Sequence, residues 1–283
     1  MVGLLPITHY QKSLDLWQSR TTQLLMLKEV ELTVSFKDYF SKQAKDYATY
    51  RPCYPKALFE YLAEIAPSRE TAWDCGTGNG QVALSLTPYF QQIYATDASA
   101  TQIAQAFPHE RIQYQIATAE RTELVARSID LVTVGQALHW FNLEEFYQEV
   151  RRVVKPGGAI AVWCYGVLEL IDREDPAHRV LQEFYTLMEP FWPAERELVR
   201  QRYQSIPFPF LEQTAPAFTM TAEWTVAALV GYLGTWSATQ QFIKQHGDEE
   251  IATLSQRLYE AWGTPQSQKL IQWPLSIRVG LLS

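Results

Sequence analysis

The sequence predicts an α/β fold: a mostly parallel sheet with helices on both faces and a helical cap inserted late in the chain. Three observations carry this. Asp74-Cys75-Gly76-Thr77-Gly78-Asn79-Gly80 follows the apolar lead Thr71-Ala72-Trp73, as when a strand ends in a tight turn that opens a helix. Short apolar runs then alternate with helix-spaced segments as far as residue 165, which calls for parallel strands joined by right-handed crossovers. Beyond that point the alternation stops, and Trp192, Trp224, Trp236 and Trp262 fall in a stretch rich in tyrosine.

The elements follow in order. Val82, Leu84 and Leu86 keep helical spacing after the glycine loop, and Gln92–Asp97 reads as the second strand. Residues 98–107 form a helix stopped by Pro108, and 111–117 the third strand. Residues 128–135 are the fourth strand, carried by Ile129, Leu131, Val132 and Val134. A helix over 143–154 places Phe146, Val150 and Val153 on one face; Lys155-Pro156-Gly157-Gly158 breaks it, and 159–165 is the fifth strand. Such a sheet is Rossmann-like and takes its ligand beyond the carboxyl ends of its strands, where their order reverses. The cap spans about 167–269 with a late strand near 210–218, and a closing strand runs over 271–280, where Trp273, Leu275, Ile277 and Val279 alternate. Residues 1–35 show little pattern, and Met26 offers an internal start. They read as an N-terminal extension, leaving 36–283 as a single domain with a ligand-binding core over about 66–166.

Composition narrows the function. The 283 residues are 47% hydrophobic and 19% charged, enough for a sizeable core. With 24 Lys and Arg against 31 Asp and Glu, the net charge of −7 works against a nucleic-acid backbone and favours a small-molecule ligand. The three cysteines, Cys53, Cys75 and Cys164, give neither a disulfide framework nor metal-ligand spacing, so no metal is expected and a reducing cytoplasm is. No apolar run reaches the roughly 18 residues of a membrane span, and no secretory signal is apparent.

The strand ends supply the chemistry. A dinucleotide loop reads G-x-G-x-x-G and holds a pyrophosphate, whereas this loop carries Asp74 where that site wants no negative charge. An acid there suits a ligand with an ammonium group, such as the amino-acid end of S-adenosylmethionine. Asp97, about 20 residues after Gly76, sits where an acid accepts hydrogen bonds from both ribose hydroxyls; capping a helix is its other reading. Ala98 is small enough for an adenine face to rest on, and Thr118-Ala119-Glu120 ends the third strand near the adenine edge. For Glu120 a ligand contact and a capping or surface role read equally. The string Gly135-Gln136-Ala137-Leu138-His139-Trp140-Phe141 would lie where the reactive end of the ligand meets a substrate.

Asp74-x-Gly76-x-Gly78-x-Gly80, Asp97, Ala119-Glu120, Ile129-Asp130-Leu131-Val132 and Lys155-Pro156-Gly157-Gly158 together resemble the successive motifs of class I S-adenosylmethionine-dependent methyltransferases. Tyr47-x-x-Tyr50-Arg51-Pro52-x-Tyr54-Pro55, Gln136–Phe141 and Tyr232-Leu233-Gly234-Thr235-Trp236-Ser237 further resemble the trans-aconitate methyltransferase-like branch. The resemblance implies that S-adenosylmethionine is the cofactor and that the acceptor is a small molecule, with a carboxylic acid as its first candidate. It also implies that Gly76-Thr77-Gly78 pass the methionine and ribose, that Asp74 nears the ammonium, and that Asp97 holds the ribose. Ala98 and Ala119 would line adenine, and Gln136-Ala137 would contact the methionine. Thr118 departs from the acid that many relatives place there, so weaker adenine anchoring is expected.

Residues 36–54 would form a lid in such enzymes, with Tyr47, Tyr50 and Arg51 toward the ligands; an aromatic stripe packed on the core is the alternative. Arg51 would grip a carboxylate or serve a structural ion pair. A carboxylate acceptor needs no general base, whereas a hydroxyl acceptor would gain from one, for which His139 is the candidate. Trp140 would wall the substrate pocket, and Arg200 and Arg202 are surface residues or contacts for an acidic acceptor. The alternative function is a regulatory protein that binds S-adenosylmethionine or S-adenosylhomocysteine without catalysis. A nicotinamide-dependent oxidoreductase is disfavoured by the loop spacing and Asp74.

Overall fold

A computed structural model of the chain describes residues 52–282. The extension over 1–35 and the expected lid residues Tyr47, Tyr50 and Arg51 lie outside the described residues. α1 (Lys56–Ile65) precedes β1 (Thr71–Cys75), and the glycine loop joins β1 to α2 (Gln81–Leu86). β2 (Gln92–Asp97), α3 (Ala100–Ala104), β3 (Ile112–Ile116) and β4 (Ile129–Gly135) follow. α4 (Leu143–Val153) runs directly into β5 (Val154–Tyr165). The later chain adds β6 (Glu169–Leu170), α5 (Pro176–Met188), α6 (Arg196–Arg200), β7 (Leu211–Gln213) and β8 (Thr219–Trp224). α7 (Val226–Gly234), α8 (Ser237–His246), α9 (Glu249–Trp262) and β9 (Lys269–Leu281) complete it.

The strands order as β3-β2-β1-β4-β5-β9-β6, with β7 and β8 also pairing β9. β1 to β5 are mutually parallel, and every pairing of β9 is antiparallel. β4 is buried from Ile129 through Val134, as a strand covered on both faces must be. Period-two alternation in β5 sends Ala159, Ala161 and Trp163 into one apolar layer and Ile160, Val162 and Cys164 into the other. The first layer packs on Leu58, Leu62 and Leu86 of α1 and α2, the second on Phe146, Val150 and Val153 of α4.

The sheet is fastened at the end opposite its carboxyl edge. Asp130, wholly buried, accepts a hydrogen bond from the Thr71 amide at 2.9 Å and pairs with Lys155 at 2.8 Å. Burial alone would raise its pKa; the Lys155 ammonium and the Thr71 amide prevail and hold it below the ordinary carboxylate value. Ile129-Asp130 and Lys155 thus tie the starts of β1, β4 and β5 together.

Several boundaries differ from the sequence reading. The helix after β2 is only Ala100–Ala104, opened by Ser99, whose hydroxyl accepts from the Gln102 amide at 3.3 Å. Lys155-Pro156-Gly157-Gly158 is no separate turn: β5 begins at Val154, and the irregularity appears as a register shift opposite Ile129 and Leu131. The single strand expected near 210–218 divides into β7 and β8, because the stretch between them carries Pro216, which cannot donate to a ladder. The cap thus carries three short strands where one was expected. Among the described residues, no helix is long and apolar enough to cross a membrane.

Candidate active site

The strand order reverses between β1 and β4, and the loops following β1, β2, β3 and β4 line one cavity of about 450 Å³ there. That volume is ordinary for a small-ligand site. Asp74, Gly76, Thr77, Gly78, Asp97, Ala98, Ala119, Glu120, Gln136, Ala137 and Trp140 all border it. His139, the candidate base, borders the neighbouring cavity and not this one, as do Trp192 and the Tyr232, Thr235, Trp236 and Ser237 of the later motif.

Asp74 forms the floor. It is 1% exposed, and its Oδ2 accepts from the Thr77 hydroxyl at 2.5 Å and the Ala83 amide at 3.1 Å. Its Oδ1 accepts from the Thr133 hydroxyl at 2.9 Å. One carboxylate thus ties the glycine loop to both α2 and β4. Burial pushes its pKa up to about 6, against the pull of those hydrogen bonds. Oδ1, with this one side-chain partner, keeps spare acceptor capacity.

The glycine loop is pressed between its neighbours. Gly76 has φ +68°, and a Cβ there would lie 2.5 Å from the Ala137 Cβ and 3.1 Å from Phe141. Gly78, at φ +55°, is the opposite case: the nearest atom to its virtual Cβ is the Gln102 Oε1 at 3.9 Å. Its missing side chain leaves room beside the cavity, a cradle that a Cβ would begin to fill. The Gly78 amide donates to Asp97 Oδ2 and the Ser99 amide to Oδ1, both at 2.8 Å, so Asp97 braces two loops while bordering the cavity. At the rim, Glu120 Oε1 accepts from the Asn142 amide at 2.8 Å and fixes the loop after β3 against the start of α4.

Gln136 stands at the far wall with φ +57°, a left-handed conformation that costs a non-glycine residue about 1–3 kcal/mol. Its backbone amide donates to the Trp163 carbonyl at 2.9 Å and its Nε2 to the Tyr165 carbonyl at 2.8 Å. Its Oε1 is buried without a hydrogen-bond partner among the described residues. Gln136 thus combines a strained backbone and an unsatisfied buried acceptor with a place in the cavity wall.

Gln136 and Trp140 also line a second, smaller cavity of about 150 Å³. His139, Tyr165, Trp192, Arg196, Tyr232 and Trp236 enclose it. His139 Nδ1 lies 2.8 Å from the hydroxyl of Tyr203, which is fully buried. Burial, aided by the nearby Arg196 charge, lowers the His139 pKa to about 4. The turn bearing Tyr203 is pinned in its turn by Arg278, whose Nη1 donates to the carbonyls of Tyr203 and Ile206 at 3.0 and 2.7 Å.

Arg200 and Arg202 do not enter this cavity: Arg200 pairs with Glu197 at 2.6 Å on the surface, and Arg202 is exposed. The arginine that does enter is Arg196, stacked over Trp192 with its guanidinium carbon 3.6 Å from the ring centroid. Arg196 was not singled out from the sequence and Trp192 only as one of the late tryptophans, although a Trp and an Arg four positions apart was an available signal.

Comparison with known proteins agrees with this geometry. A family profile for a methyltransferase domain matches residues 73–162. A Dictyostelium discoideum protein assigned as a methyltransferase is 29% identical over 242 residues, covering 84% of this chain and 92% of its own. The methyltransferase cfoB of Aspergillus candidus is 25% identical over 248 residues, 79% of this chain and 73% of its own. A solved structure from Anaeromyxobacter dehalogenans, assigned as a type II methyltransferase, is 40% identical with a TM-score of 0.77, covering 82% of this chain and 98% of its own. S-adenosylmethionine is the cofactor of the family, and the residues suit it. Gly78 leaves space for close approach, Asp97 borders the cavity as a hydrogen-bond acceptor, and Gln136 Oε1 awaits a donor. Fold, cavity and an alignment spanning nearly the whole of a homologous chain converge: the protein belongs to the class I S-adenosylmethionine-dependent methyltransferases.

Proposed function

We propose that the protein transfers a methyl group to a small acceptor seated in the smaller cavity, and that the acceptor is a carboxylic acid, as in the trans-aconitate methyltransferase-like branch. The observation that carries this is the shared wall: Gln136 and Trp140 border both cavities, so a ligand in one lies beside a ligand in the other. Bound S-adenosylmethionine supplies a methyl on a cationic sulfur, which keeps the bonding pair as a carboxylate oxygen takes the methyl with no proton to remove. The chain's own contribution is orientation and exclusion of water. Asp97 would hold the ribose, Asp74 Oδ1 would face the ammonium, and Ala98 and Ala119 would flank the adenine. The small volume between aromatic walls supports a small acceptor. A reducing cytoplasm is part of this reading, on the odd and widely spaced set of three cysteines.

Tritium transfer from labelled S-adenosylmethionine to a panel of small carboxylic acids tests the reading, alongside calorimetry with S-adenosylmethionine, S-adenosylhomocysteine and NAD. Tight binding of the two adenosyl ligands, no binding of NAD and label in an acid are expected. Adenosyl binding with no transfer to any small molecule would point to a regulatory binding protein instead.

His139 is not expected to act as a base. Its depressed pKa keeps the imidazole neutral down to about pH 4, but its Nδ1 is engaged by Tyr203, and a carboxylate acceptor presents no proton. His139→Ala should therefore keep kcat within about tenfold of wild type, where loss of a general base costs about 10²–10⁴. The sign for stability follows: a histidine lowered from 6.5 contributes fully above pH 6.5, and that contribution is lost as pH falls toward about 4. Unfolding midpoints measured from pH 7 to 4 should decline for wild type more steeply than for His139→Ala.

A further inference from the structure

The smaller cavity holds a positive charge that the fold itself does not use. Arg196 opens α6 and is half-buried. It lies over the Trp192 ring and forms no ion pair among the described residues. The contrast with other arginines is direct: Arg152 pairs with Glu149, Arg200 with Glu197, Arg257 with Glu183 and Arg278 with Glu212, at 2.6 to 2.7 Å. Among the described residues no Asp or Glu lines the smaller cavity, and His139, held neutral by burial, adds no second cation. The remaining walls are mostly aromatic, from Tyr165, Trp192, Tyr232 and Trp236.

Glu189 acts on Arg196 only through longer-range attraction. A partly desolvated guanidinium without a carboxylate in contact is costly, and stacking on an indole offsets only part of that cost. The stacking has a further effect. It fixes the plane of the guanidinium, so little rotamer freedom remains to be lost when a ligand arrives. A planar, pre-oriented fork of N–H donors is matched by a carboxylate, which accepts two parallel hydrogen bonds. Aromatic walls would exclude water from that pair and strengthen it.

We propose that Arg196 is the specificity-determining residue of the acceptor cavity: it anchors an anionic, carboxylate-bearing acceptor through the guanidinium edge, with Trp192 holding the guanidinium in plane. This rests on the methyltransferase reading above and gives the acceptor class a recognition element of its own. The uncharged amide or ester of the same acid would lack the matching charge and be rejected. Rejection of that kind exceeds what apolar fit alone provides, because the unmatched cation is left desolvated.

The test uses protein saturated with S-adenosylhomocysteine and ligand-observed NMR titration of four acids (acetate, succinate, benzoate and phenylacetate), each beside its primary amide. At least one acid should bind at least about tenfold more tightly than its amide, the least expected for a charge-assisted hydrogen bond. Arg196→Met should weaken that acid by about tenfold or more and leave the amide unchanged, with Arg196→Lys intermediate. Undiminished S-adenosylhomocysteine affinity in both variants shows that they are folded. Equal binding of acid and amide, acid binding that survives Arg196→Met, or no binding by any acid would overturn the proposal. None of those results touches cofactor binding. Failure of wild-type protein to bind S-adenosylhomocysteine would be the separate signature that the methyltransferase reading itself is wrong.

Discussion

Gly76→Ala is expected to reduce S-adenosylhomocysteine affinity at least about 100-fold and to lower the unfolding temperature. Two penalties combine. An L-residue at φ +68° carries a left-handed strain of about 1–2 kcal/mol. The new methyl also meets the Ala137 Cβ at 2.5 Å and Phe141 at 3.1 Å, and overpacking of this kind costs about 1–3 kcal/mol more. Relief requires the loops after β1 and β4 to separate, and both border the cofactor cavity. Gly78→Ala is the discriminating partner. Its methyl would come no closer than 3.9 Å to any non-neighbouring described residue, so its thermal penalty should be the smaller of the two. Its affinity should still fall, since the methyl takes up space beside the cavity. Calorimetry and thermal denaturation of the pair separate loop strain from ligand exclusion. Equal behaviour in both assays would mean that Gly76 is not the tight point between the loops.

Asp97→Ala should weaken S-adenosylmethionine and S-adenosylhomocysteine by about 10²–10⁴-fold, the loss of two hydrogen bonds to a charged group at about 1.5–3 kcal/mol each. The substitution also releases the Gly78 and Ser99 amides, which the carboxylate now holds at 2.8 Å each. Asp97→Asn helps to separate these effects. Its single carbonyl oxygen can serve one amide, and its NH₂ group cannot accept from a ribose hydroxyl. An intermediate affinity is therefore expected by calorimetry. Wild-type affinity in Asp97→Ala would remove this side chain from cofactor binding.

The cofactor half of the protein was legible because its signals are local. A strand, a glycine turn and a helix follow one another within a few residues. Repetition of that unit fixes both the parallel sheet and the edge at which Asp74, Asp97, Ala119 and Gln136 gather. What the pattern alone could not reveal was the work Asp74 does within the protein, where it holds Thr77, Ala83 and Thr133 at once. Those partners come from three separate elements. The acceptor half was less legible for a related reason. Its aromatic residues pack across helices, as where Trp236 stacks on Tyr185 with ring centroids 5.5 Å apart, and such contacts leave no period in the sequence. Arg196 differs from Arg200 and Arg202 only in what surrounds it, and surroundings assembled from distant segments are invisible in composition. The strands β6, β7 and β8 were hard to place for the same reason: each depends on β9, which arrives last in the chain.

Gln136 and Trp140 are the partition between two chambers whose walls come from different stretches of polypeptide. The described lining of the larger chamber runs from Tyr54 to Asn142, whereas the smaller takes most of its lining from Tyr165 to Ser237. On the proposed reading, donor capture and acceptor choice therefore rest on separate stretches of chain. Drift in the later stretch can redirect which compound is modified while the earlier one stays under constraint, so descendants of a duplicated copy would diverge in diet before they diverged in chemistry.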